Sequence, residues 1–244
     1  MNRAKHFLCM AVSVLVFFAV LPAYGDIYWE SAVESKGNPK GMSTNLPQIL
    51  MGQFNKSDTV KYWLSEQGMR MESRDGIMIL DYGTMTFYNL YPNNKTYMKT
   101  DMSDMKEKGK NPSAERKITP TDERRTIAGY PCRKYVVTLT NGEGEYWVSK
   151  EVKVYEQYKK LREKIKTAVG KNPAAERMKI PGLTVEMDGF PVMTSVEIMG
   201  ITTTDTVKLL EEKKNEPGMY KVPEDYNLLD IKNIFNLRQK QGKE

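Results

Sequence analysis

The chain has 244 residues, a formal net charge of +6, 28% charged and 40% apolar residues, one histidine and two cysteines. Acids and bases are interspersed and no long basic run is interleaved with aromatics, so no nucleic-acid partner is expected. The histidine is His6, which leaves the rest of the chain without the residue that Ser-His-Asp, Cys-His and His-ligated zinc sites require.

Residues 1–25 read as a secretory signal peptide. Arg3 and Lys5 form a basic start, Phe7 to Leu21 is an apolar run interrupted only by Ser13, and Ala23-Tyr24-Gly25 places small residues at the two recognition positions of a cleavage site. The apolar run is about 15 residues, short of the roughly 20 that span a bilayer. The reading predicts export, with cleavage after Gly25. Cys9 leaves with the leader, and Cys132 then stands alone, read as a small buried hydrophobe.

Ile27, Trp29 and Val33 alternate with Tyr28, Glu30 and Glu34, the period of a strand. Residues 35–43 are a Gly/Asn/Pro/Ser-rich loop, and Leu46 to Phe54 resists assignment. An antiparallel meander follows: strands at 59–64, 69–74, 77–80, 85–91 and 95–99, with turns at Gln67-Gly68, Asp75-Gly76, Gly83 and Pro92-Asn93-Asn94. The strands at 77–80 and 85–91 are apolar on both faces, so each face needs a cover.

Residues 101–125 are polar and predict a long loop. Strands are predicted at 122–128, 133–140 and 144–149, the last two joined by the Asn141-Gly142 hairpin. The best helix is 150–169, with Tyr155, Tyr158, Leu161, Ile165 and Val169 on one stripe, Ser149 and Gly170 as caps, and a basic outer face of Lys153, Lys159, Lys160, Lys164 and Lys166. That face predicts a solvated surface or a transient contact with an anionic membrane surface. Strands near 183–188, 191–199 and 204–211 close the pattern. Residues 228–244 are read as a short C-terminal helix or frayed tail.

No catalytic constellation stands out, and an enzyme is not expected. Met98, Met102 and Met105 flank Asp101 and Asp104, and thioethers suit Cu(I), but no His or Cys stands nearby. No metal and no cofactor is assigned. The other methionines sit within apolar strands, where they fill a core or form a deformable cavity wall.

The unit Met69-Arg70-Met71-Glu72, then Ile79-Leu80-Asp81-Tyr82-Gly83, Phe87-Tyr88-Asn89-Leu90-Tyr91-Pro92 and Lys95-Thr96-Tyr97-Met98, resembles a bacterial exported family of unknown function related to the lipoprotein carriers LolA and LolB. Ala128-Gly129-Tyr130-Pro131-Cys132, Glu145-Tyr146-Trp147-Val148 and Tyr220-Lys221-Val222-Pro223-Glu224-Asp225-Tyr226 resemble it too, so the likeness spans most of residues 26–227. It implies a periplasmic, mainly β (α+β) domain at 26–227, a curved antiparallel half-barrel whose amphipathic helix covers the concave face. In the carriers that concavity takes acyl chains. The expected ligand site pairs a lid of Tyr155, Tyr158, Leu161 and Ile165 with a wall that includes Met69, Met71, Met78 and Met85. The expected partner is a lipid, an acyl chain or a lipoprotein. The alternative is an interaction or structural module whose core is simply filled.

Overall fold

The structure is a computed structural model and describes residues 26–37, 55–101, 117–139, 142–169, 187–198 and 200–229. The protein is mainly β: an open, curved sheet in which all pairings are antiparallel except the last short one. The strands are β1 (Asp26–Gly37), β2 (Lys56–Leu64), β3 (Gly68–Ser73), β4 (Gly76–Asp81), β5 (Thr86–Tyr91), β6 (Thr96–Asp101), β7 (Ile118–Ile127), β8 (Tyr130–Leu139), β9 (Gly142–Ser149), β10 (Phe190–Ile198), β11 (Ile201–Lys213) and β12 (Asn227–Leu228). Their spatial order is β12-β6-β5-β4-β3-β2-β1-β11-β10-β9-β8-β7. Two meanders, β1–β6 and β7–β11, are thus joined where the long strands β1 and β11 pair from Asp26↔Lys213 to Gly37↔Ile201.

The meander expected at 59–99 is present, with differences at its turns. The β3–β4 turn is Arg74-Asp75, and Gly76 is the first residue of β4, paired with Ser73. A Cβ on Gly76 would sit 2.6 Å from the carbonyl oxygen of Leu90, so the strand position itself demands glycine. Met85 belongs to the turn before β5, with a positive φ of 52°. The polar stretch expected as loop up to 125 is strand from Ile118 onward. It is an edge strand, and an edge tolerates the Pro120, charges and register shift at Pro120/Arg124 that hid it. Residues 187–189 are not strand, and the rest of the strand expected near 183–188 lies outside the described residues.

One helix stands among the described residues, α1 (Tyr155–Val169). It starts five residues later than the stripe suggested. Val152 and Val154 are buried in the core at 3% and 2% exposure, which holds this approach in a turn. Ser149 Oγ accepts the Glu151 amide at 3.1 Å, closing that turn rather than capping the helix directly. Tyr158, Leu161 and Ile165 bury against Ile27, Leu64, Leu80, Met85, Phe190 and Val192, while Tyr155 packs at the margin.

The second apolar face of β4 and β5 is covered by something else. Ile79 and Leu90, with Tyr28 and Trp63, pack against the C-terminal segment through Tyr220, Met219, Val222 and Tyr226. Arg70 Nη1 donates to Met219 O at 2.8 Å, and Asn227 and Leu229 amides donate to the Lys95 and Tyr97 carbonyls. The helix was expected to cover the second apolar face of these strands; Leu80 and Phe87 do cluster with α1, while Ile79 and Leu90 on the other side are covered by the C-terminal segment. A third cluster, Tyr135, Val137, Tyr146, Val148 and Met187, closes the β8–β9 side.

Candidate functional site

Side chains two apart on a strand share a face, and register aligns them across strands. On the α1 side of β1–β6 this gives parallel rows. The first is Ile27, Leu64, Met69, Leu80 and Phe87, and all five belong to the core under α1. The next row lies about 7 Å further along the strands. It runs Trp29↔Tyr62↔Met71↔Met78↔Asn89↔Met98 across six strands. The third holds Ser31 and Val60, then Ser73, Gly76, Tyr91 and Thr96 by alternation. These rows contain no Asp, Glu, Lys or Arg. The opposite face of the same strands carries Glu30, Lys61, Arg70, Glu72 and Lys99.

The second row is a candidate binding strip. Five inter-strand spacings of about 4.8 Å make it about 24 Å long. Trp29, Met71, Met78, Asn89 and Met98 are half-buried, and Met71, Met78 and Met98 belong to none of the hydrophobic clusters. Trp29 stacks on Tyr62 with ring centroids 4.7 Å apart and planes 6° from parallel, and its edge meets Phe190 at 5.7 Å. Tyr91 Oη lies 3.8 Å from Met98 Sδ.

A single polar group ends the strip. Tyr62 Oη donates to Asp205 Oδ2 at 2.6 Å, reaching across β1 to β11. Beneath it Ser31 is fully buried, and its Oγ lies near the same carboxylate without completing a hydrogen bond. Burial pushes the Asp205 carboxyl above the ordinary carboxylate range, against the opposing pull of the Tyr62 and Ser31 hydroxyls. No lysine or arginine pairs with it among the described residues.

The structure divides the eight residues expected to form the site. Tyr158, Leu161, Ile165 and Met85 are core, each no more than 7% exposed, and Met69 packs against that core. Leu161 also lines a hollow of about 340 Å³ with Gln157, Lys164 and Glu66. Tyr155 lies at the rim, its hydroxyl donating to Asp188 at 2.9 Å; burial and that bond push its pKa to about 12. Only Met71 and Met78 stand in the strip. Sequence reasoning missed Trp29, Tyr62 and Asp205, whose signal is register: nothing in their local sequence brings β2, β1 and β11 together.

Two other surfaces were expected or are visible. Lys164 of the basic helix face pairs with Glu66, and Lys159 lies 3.6 Å from Glu156, so that face is partly neutralised. A cleft of about 490 Å³ near the β7 edge is lined by Arg124, Arg125, Arg133 and Lys150. Its cations mostly have partners already: Arg133 donates to Thr121 O at 2.8 Å, Lys150 pairs with Asp188, and Arg125 lies 4.1 Å over Trp147. Cys132, which also lines it, is 3% exposed, and burial pushes its thiol pKa up. No helix among the described residues is long and apolar enough to cross a membrane. Met102 and Met105 lie outside the described residues.

An open, almost wholly antiparallel sheet with three charge-free rows on one face defines the architecture; comparison with known sequences places it. The chain belongs to the family described as a domain of unknown function, DUF4412, whose profile matches residues 47–226. No curated protein matches significantly. Among solved structures, PNGF-II is similar at 10% identity and a TM-score of 0.40, covering 88% of this chain and 33% of that one. A chain of the Pseudomonas aeruginosa MucA/MucB complex is similar at 8% identity and a TM-score of 0.40, covering 85% and 59%. The chain thus spans about a third of the one and six-tenths of the other.

Proposed function

We propose that this is an exported, non-catalytic binding protein that takes an apolar chain along the strip from Trp29 to Met98. One observation carries the reading: a face six strands wide holds a half-buried Trp, Tyr and Met row with no charge, and neither α1 nor the C-terminal segment packs on its methionines. A solvated sheet face of that width ordinarily alternates in polar and charged residues. Unbranched thioether side chains adapt to an irregular aliphatic ligand. The signal-like leader and the likeness to LolA and LolB favour a periplasmic lipid or lipoprotein acyl chain as occupant. The site is then a shallow trough beside α1, and the lid residues Tyr158, Leu161 and Ile165 support its wall from within the core.

The second reading, an interaction module with a filled core, is favoured by the close packing beneath α1, where Leu161 and Ile165 are buried. Organic extraction of protein purified without detergent, followed by mass spectrometry, separates the two. The carrier-like reading predicts a stoichiometric lipid or fatty acyl species. A clean extract, together with no saturable uptake of a fluorescent fatty alcohol, would leave only the filled-core reading.

A further inference from the structure

The end of the strip says what kind of head group it accepts. Asp205 projects from β11, where it pairs with Val33 and Thr194, onto the face that carries the strip. Its oxygen is held by Tyr62, whose ring is itself clamped on Trp29. Two features make this carboxylate unusual. No cation faces it among the described residues, although a half-buried charge is costly without one. And Ser31, with no solvent exposure, sets a second hydroxyl beside it, so the carboxylate is approached by hydroxyls and by no cation. The Trp29–Tyr62 stack supplies the other requirement of a cation site, aromatic surface next to the charge. Elsewhere on this side β11 offers Thr203 and Val207, neither of which would favour an anion.

Resting on the binding reading above, we infer that the strip binds an amphiphile with a cationic, ammonium-type head, its charge at Asp205 and its chain along Tyr62, Met71 and Met78. An anionic head is disfavoured at the same place, because it would set two negative charges together in a poorly solvated corner.

The test uses the full chain and three ten-carbon probes below their aggregation limits: decylammonium, decanol and decanoate, titrated at neutral pH by calorimetry and tryptophan fluorescence. Decylammonium should bind at least about tenfold more tightly than the other two, equivalent to about 1.4 kcal/mol. Asp205→Asn should abolish that preference while keeping decanol binding, and Asp205→Ser serves if the first variant does not fold. Lys99→Gln, on the opposite face, should change nothing. Equal or tighter binding of decanoate, or a preference that survives loss of the carboxylate, would overturn the inference and leave the apolar strip standing. No binding of any probe would overturn the strip as well.

Discussion

Asp205 is a half-buried carboxylate beside three rows of side chains that hold no charge, with the Tyr62 hydroxyl donating to it at 2.6 Å and the Ser31 hydroxyl close by. Its pKa is raised by burial, so the folded state binds its proton more tightly than the unfolded chain does. The sign follows from linkage: stability contributed at this site is highest below the unfolded carboxylate pKa of about 4 and falls as pH rises through the folded value. Asp205→Asn should therefore gain on wild type as pH rises from 3.5 through the folded value and keep that gain up to pH 7. Urea melts across that range check this; a constant difference would mean the carboxylate is not desolvated. Cys132 is the opposite kind of residue, since its burial keeps it a thiol and its role is packing. The sequence reading of a small buried hydrophobe agrees with its place in the main cluster.

At the scale of elements, the period-two meander, the helical stripe and most turns are legible in the sequence because each is a local pattern. The misreadings have physical causes. An edge strand such as β7 needs one partner only, so Thr-Pro-Thr-Asp-Glu-Arg-Arg can be strand without looking like one. Of the two apolar faces of β4 and β5, one clusters with α1, and the other is covered by the stretch around Tyr220, whose Tyr-Lys-Val alternation is too short to advertise a packing role. The two covers should be separable by mutation. Ile165→Asp would bury an unpaired carboxylate under α1 and should cost several kcal/mol or prevent folding. Tyr220→Ala should cost about 3 kcal/mol through the opposite layer, a loss of aromatic packing on Trp63 and Ile79. Chemical denaturation checks both, and near-neutral effects would show that these layers are exposed. The candidate site was the least legible part. Met71 and Met78 were visible as strand methionines, but their row with Trp29 and Tyr62 exists only once the register is known.

On the scale of the whole molecule, one sheet supports two chemically different sides. Between β1 and β6 one side carries alternating charges and is sealed by the C-terminal segment. The other has three successive rows without a charge, from Ile27 to Thr96, packed with α1 at one end and half-buried beyond it. That asymmetry is the central claim about function, and methionine is its natural reporter. The most direct measurement is methyl NMR of the full chain with labelled methionines, titrated with decylammonium and decanol. The account predicts saturable shifts at the Met71, Met78 and Met98 methyls. Met187, buried in the β8–β9 cluster, and Met219, in the C-terminal segment on the opposite face, should not respond. Shifts confined to Met187 or Met219, or none at all, would contradict it.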